Sequence, residues 1–140
     1  MGAAHVKRYL LDTCALTWYF DEHKRAKDIA EDIEYYQGDF VTSVVTVKEL
    51  VYLVQSGKVK FSFDFDFDGF MALLKDKNID IIYFDSASLK VLFSLPFYKN
   101  HPDPTDRHII ATAIATKRIL ISGDMKFSAY TKNGLLLLEI

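Results

Sequence analysis

Short apolar runs alternate with amphipathic stretches along the whole chain. Residues 7–12 contain the run Tyr9-Leu10-Leu11 and predict a buried strand, with Thr13 placed to cap the helix after it. Residues 15–20 set Leu16 and Phe20 four apart, one helical face. Residues 24–36 put Ile29, Ile33 and Tyr36 at helical spacing among acids and lysines, a helix with one solvated side, stopped by Gln37-Gly38-Asp39. A second strand is predicted over 40–43. A helix over 46–55 aligns Val47, Leu50, Val51 and Val54 and ends at Ser56-Gly57. The same spacing gives helices over 70–77 and 86–94, with a strand over 79–84 between them. Pro96, Pro102 and Pro104 stiffen a loop that leads into a helix over 106–116. Strands over 119–122 and 135–140 complete the series. Strand and helix in alternation predict one α/β domain over 1–140, a parallel sheet of four to five strands flanked by helices.

The segment Phe61-Ser62-Phe63-Asp64-Phe65-Asp66-Phe67-Asp68-Gly69 departs from this scheme. Asp64, Asp66, Asp68 and Gly69 begin a calcium-loop pattern, but its twelfth position is Lys75 where a bidentate Glu is required. The strict alternation fits a two-faced extended segment, phenylalanines inward and aspartates outward, or an aromatic edge that meets a partner chain.

Composition narrows the class. The chain has 140 residues, 50% hydrophobic and 26% charged, as in a globular domain. A formal net charge of −2 gives no general basic footprint, so any attraction to nucleic acid must come from a local patch or a bound cation. Cys14 is the single cysteine, which excludes an internal disulfide and a cysteine metal cluster and fits a reducing cytoplasm. Its expected role is that of a small buried hydrophobe. No apolar stretch is long enough to span a membrane, and Met1-Gly2-Ala3-Ala4-His5 lacks a signal core. Val6 stands where a myristoylation signal needs Ser or Thr.

Four acids carry the candidate chemistry. Asp12 ends the first apolar run, and Asp124 follows Ile119-Leu120-Ile121-Ser122-Gly123. Asp106 opens the helix after Pro104-Thr105, and Glu49 lies inside the helix over 46–55. Acids at the carboxyl ends of parallel strands face the crevice where α/β proteins place their sites. A convergent set is costly unless a hard divalent cation neutralises it. Taken singly, each acid reads first as a capping or solvated residue, since aspartate is common at strand and helix ends. Taken together they suggest metal-dependent phosphoryl transfer.

On these residues the chain resembles the PIN-domain ribonucleases, and among them the VapC-type toxins of bacterial toxin–antitoxin pairs. Tyr9-Leu10-Leu11-Asp12-Thr13 with Trp18 resembles the opening motif, and Ser43 through Glu49, continuing to Ser56-Gly57-Lys58-Val59, the second. Leu95-Pro96, His101-Pro102-Asp103-Pro104-Thr105-Asp106-Arg107 and Ile110-Ala111-Thr112-Ala113 carry the most specific likeness. Ile121-Ser122-Gly123-Asp124-Met125-Lys126-Phe127, with Tyr130, is similar to the fourth motif; Thr105 and Ser122 depart mildly, standing where an aromatic and a threonine are common.

The resemblance implies a three-layer PIN-like fold and a Mg²⁺- or Mn²⁺-dependent endoribonuclease with Asp12, Glu49, Asp106 and Asp124 as catalytic and metal-holding acids. Thr13 and Ser122 are then hydroxyls that orient those acids. Asp103 offers a water-mediated contact or, by its proline neighbours, stabilises the loop. Arg107 is read as a phosphate contact or a structural ion pair, and Lys48 and Lys126 as lysines that steer RNA. His101 and His108 receive supporting roles, with His108 on the outer helix face. The family also implies an RNA substrate, a homodimer and a VapB-like antitoxin, with the 61–67 aromatic row and the 24–36 helix as contact surfaces. Two alternatives stand beside this: a PIN-like RNA-binding or RNA-processing module without toxin role, and an aspartate-based phosphotransfer domain. The second lacks the expected acid two residues after Asp12, where Cys14 stands.

Overall fold

Tyr9, Leu10 and Leu11 point alternately to opposite sides of a strand, and all three are buried. Such a strand must be central and covered on both faces. In the computed structural model, which describes residues 6–98 and 103–140, β1 (Arg8–Leu11) lies in the middle of a five-stranded sheet. The other strands are β2 (Asp39–Ser43), β3 (Asp80–Ile82), β4 (Ile119–Ser122) and β5 (Leu136–Glu139), in the order β3-β2-β1-β4-β5 and all parallel.

In register, Tyr9 pairs with Phe40 and Ile119, and Leu10 with Val41 and Leu120. Tyr9, Leu11, Phe40 and Ile121 pack on one face against α1 (Thr13–Phe20), α2 (Lys27–Glu34) and α4 (Phe67–Asp76) through Leu16, Tyr19, Ile29, Ile33, Phe70 and Leu74. Leu10, Val41 and Leu120 pack on the other face against α6 (Pro104–Thr116) through Ile109, Ile110 and Ala113. Alongside α6 runs α5 (Ser86–Ser94), while α3 (Val44–Gln55) contributes Leu50 to the first core. The expected three-layer α/β architecture is therefore the observed one.

Several local expectations change. Asp12, not Thr13, caps α1, because its Oδ1 accepts the Ala15 N–H at 2.8 Å. The helix expected over 24–36 is a 3₁₀ turn, Lys24–Ala26, followed by α2. Tyr36 lies beyond α2 at φ 56° and is exposed, so the left-handed turn precedes Gly38. Gly38 is required for another reason: a Cβ there would stand 2.8 Å from the Phe40 ring and 2.9 Å from Tyr9. The helix expected from Asp106 starts at Pro104 and is capped by Asp103, which accepts the Thr105 N–H at 2.9 Å. Proline fits that first turn because its missing N–H would find no helical partner there.

The 61–66 segment forms no strand. Phe61 and Phe63 stack at 4.8 Å, Phe65 packs on Phe70 at 4.7 Å, and Ser62, Asp64 and Asp66 face solvent. The inward-outward alternation holds as far as Phe65 and ends at Phe67, which begins α4 and is 77% exposed. Asp66 serves that helix as its cap, accepting the Gly69 N–H at 2.7 Å. A 3₁₀ segment, Met125–Asn133, went unpredicted because it buries only Phe127 and Tyr130 and lacks a helical apolar period.

Candidate active site

The strand order reverses between β1 and β4: from β1 the chain builds outward to β2 and β3, and then returns to β4 on the other side. Loops leaving neighbouring strands at such a point diverge, which opens a crevice at their carboxyl ends. Asp12 leaves β1 there, and Asp124 follows β4. Glu49 reaches the same place from α3, and Asp106 from the first turn of α6. All four line one cavity of about 310 Å³, together with Thr13, Trp18 and Cys14.

Each carboxylate is held differently. Asp12 is 4% exposed. Burial pushes its pKa up to about 6, against the hydrogen bonds of the Ala15 N–H and the Ser122 hydroxyl and with the help of the Asp124 and Glu49 charges. Burial likewise lifts Asp106 to about 7, and the charges of Asp103, Glu49, Asp124 and Asp12 add to it. Asp124 caps the 3₁₀ segment by accepting the Lys126 N–H at 2.9 Å, while its own N–H donates to Ser122 Oγ at 2.9 Å. Ser122 thus ties the two strand-end acids together.

The donor chemistry fits a hard divalent cation: the acids supply oxygens alone, as Mg²⁺ and Mn²⁺ prefer. Thr13 Oγ1 is buried without a hydrogen-bond partner among the described residues and belongs to the same wall. Among the described residues, however, no three Asp, Glu, His or Cys side chains form a finished metal cage. The acids form a pocket whose members feel one another's charge, and their mutual repulsion opposes closer approach.

The remaining sequence candidates fall at different places. Asp103 is an exposed helix cap, which is the loop-stabilising alternative, and its charge reaches Asp106. Lys48 and Lys126 are exposed next to Glu49 and near Asp124. Arg107 is engaged by the protein itself, through hydrogen bonds to neutral groups. Its guanidinium donates to the Pro96 carbonyl at 2.8 Å, the Leu95 carbonyl at 3.2 Å and the Tyr130 hydroxyl at 3.3 Å, and it lies over Phe97. It pins the turn after α5 to α6. His108 is not on the outer face; it is half-buried and stacked on Phe84 at 4.6 Å. His101 lies outside the described residues. The Cys14 thiol lines the cavity, and burial followed by the Asp12 charge pushes it up to about 11, so it stays protonated and inert at neutral pH.

Gly123 was missed as a site residue. A Cβ there would lie 2.5 Å from Trp18 and 3.0 Å from Cys14 Sγ, so only glycine lets the indole close this wall. The signal in sequence was a Ser-Gly-Asp turn after an apolar strand. Trp18 in turn stacks on His23 at 4.8 Å and carries Arg25 over its ring at 4.5 Å. A larger cavity, about 850 Å³, lies between α1, α2, α4 and the segment around Phe63, and holds none of the four acids.

Fold and site together define an α/β protein with a carboxylate-lined crevice at its topological switch point. The chain belongs to the PIN domain family, a family of nucleases, whose sequence model matches residues 9–133. No curated protein matches the sequence. Among solved structures, a chain of VapBC2 from Rickettsia felis, bound to a DNA fragment from its promoter, is similar with a TM-score of 0.67 and 17% identity, over 94% of this chain and 97% of that one. A chain of VapBC-1 from nontypeable Haemophilus influenzae gives a TM-score of 0.65 at 17% identity over 94% and 96%. One of FitAcB from Neisseria gonorrhoeae gives 0.61 at 17% identity over 94% and 96%. At these identities the likeness is one of fold.

Proposed function

We propose that this chain is a Mg²⁺- or Mn²⁺-dependent endoribonuclease, the toxin of a toxin–antitoxin pair, acting in the cytoplasm. The observation that carries the proposal is the meeting of Asp12, Glu49, Asp106 and Asp124, from four separate elements, around one cavity. A cation bound there supplies the positive charge that activates water and stabilises the departing oxygen of a phosphodiester. Asp12 and Asp124 give it fixed walls: the Ala15 N–H and the Ser122 hydroxyl hold the Asp12 carboxylate, and the Lys126 N–H holds that of Asp124. Glu49 adds the reach of a longer side chain from α3. Asp106 sits in the first turn of α6, where the helix dipole favours its ionised form against the burial that opposes it.

A VapB-like antitoxin is the proposed partner, in line with the VapBC and FitAcB assemblies that share the fold. The large cavity supports a place for it, since it joins the 24–36 region to Phe63 through Tyr19, Phe20 and Leu73. Homodimerisation is proposed from the family likeness. No helix among the described residues is long and apolar enough to cross a membrane.

The test is cleavage of single-stranded RNA by the purified chain, with and without Mg²⁺, beside Asp106→Asn. Wild type should cut only with the metal, and Asp106→Asn should lose at least about a hundredfold in rate. Equal rates for the two proteins would remove Asp106 from the site. Binding of RNA without any turnover by wild type would instead favour the non-catalytic module.

A further inference from the structure

On α3, Glu49 and Leu53 look into the acid-lined cavity, and Val59 closes it from the turn beyond the helix. Between Glu49 and Leu53 in sequence, one turn from Glu49, stands Tyr52, a large aromatic that is 60% exposed. Its ring is left in solvent one helical turn from a cavity acid, where its face is open to another ring. Its surroundings are basic. Lys48 is four residues earlier on the same helical side, and Lys58 places its ammonium 5.7 Å from the Tyr52 ring centre.

The turn that brings Lys58 there is built, not slack. Gly57 takes φ 80°, open to glycine without strain, and the Lys58 and Val59 N–H groups both donate to the Leu53 carbonyl, at 2.9 and 3.1 Å. The chain folds back onto the end of α3, so one side of the turn completes the cavity and the other flanks the tyrosine.

We infer that Tyr52, with Lys48 and Lys58, is a stacking platform for one unpaired base of the RNA beside the bond to be cut. This rests on the endoribonuclease reading of the cavity. An aromatic face takes any base, and the flanking ammonium groups take the phosphates on either side, which is how single-stranded nucleic acid is held without sequence readout. On a chain of net charge −2, a local pair of lysines near the acidic cavity offers positive charge to the backbone of an anionic substrate.

The test measures binding of a short fluorescent single-stranded RNA, in Mg²⁺, to the full chain carrying Asp106→Asn to stop turnover. The same chain is compared after adding Tyr52→Ala or Tyr52→Phe, and with RNAs in which one base at a time is replaced by an abasic site. Tyr52→Ala should weaken binding of intact RNA about 5- to 150-fold, the range for loss of one base–aromatic stack. Tyr52→Phe should bind as its parent, and at one abasic position the Tyr52→Ala penalty should vanish. Equal binding by the alanine and parent proteins overturns the platform while leaving the nuclease reading intact. So does a penalty that persists at every abasic position, which assigns the tyrosine to fold or to a protein partner. Failure of both the Asp106→Asn parent and the wild type to bind any of the RNAs overturns both readings.

Discussion

Replacing Asp12 by asparagine should stabilise this protein in the absence of divalent metal. The side chain is 4% exposed, and burial holds its carboxyl at about 6 instead of the ordinary 3.8. Ionising it in the folded state at pH 8 therefore costs up to about 3 kcal/mol. Asparagine removes that charge and retains an oxygen to accept the Ala15 N–H, so the cap of α1 survives. Weakening of the Ser122 hydrogen bond takes back about 1 kcal/mol, leaving a net gain of about 2 kcal/mol. For a domain of this size that is roughly 4–8 °C in Tm. The sign reverses the usual carboxylate behaviour. Because the folded pKa is raised, the stability linked to Asp12 is present in full below 3.8 and is lost as pH rises through about 6. The gain from asparagine should thus fade on acidification and be gone by pH 4, where the weakened Ser122 hydrogen bond leaves the variant slightly the less stable. Urea unfolding of both proteins in EDTA at pH 4, 6 and 8 measures it, and saturating Mg²⁺ should shrink the difference, since ligand binding stabilises the wild type alone. A wild type more stable than Asp12→Asn at pH 8 in EDTA would refute the reasoning.

Three further outcomes rest on the same geometry. Mg²⁺ affinity should rise steeply between pH 5 and 8 with release of protons, because Asp12 at about 6 and Asp106 at about 7 must ionise to hold a cation; calorimetry in buffers of different ionisation enthalpy reads the proton count, and pH-independent binding would contradict it. Gly123→Ala should cost about 1–3 kcal/mol and shift the emission of Trp18, the chain's single tryptophan, because the new methyl meets the indole at 2.5 Å. Unchanged stability and emission would show that the indole has room to move. Arg107→Ala should lower Tm by freeing the Leu95 and Pro96 carbonyls, at about 1–3 kcal/mol, yet leave the salt dependence of RNA binding as it was. A reduced salt slope with unchanged stability would restore its reading as a phosphate contact.

Much of this protein was written in its local pattern. Tyr9-Leu10-Leu11 and Ile119-Leu120-Ile121 are too short and too continuously apolar for anything but central strands, and the strand over 119–122 is found at those bounds. The helices expected over 46–55 and 86–94 from their apolar spacing are found over 44–55 and 86–94. What local pattern does not contain is direction in space. That Arg107 turns to the Leu95 and Pro96 carbonyls and that His108 stacks on Phe84 depend on partners 11 to 24 residues away. The 3₁₀ segment after β4 escaped because two buried rings, Phe127 and Tyr130, carry it in place of a periodic face.

The sequence by itself determined the layers, the parallel sheet and the positions of three acids at element ends and a fourth inside a helix, because periods of two and 3.6 and the chemistry of caps act over a few residues. Only the tertiary structure decided that those acids share a cavity. Convergence requires the reversal of strand order between β1 and β4, the crossing of α3 and α6 over the same edge, and a glycine at 123 that lets Trp18 close the wall. The raised pKa values of Asp12 and Asp106 arise from that burial and crowding, which no stretch of sequence contains.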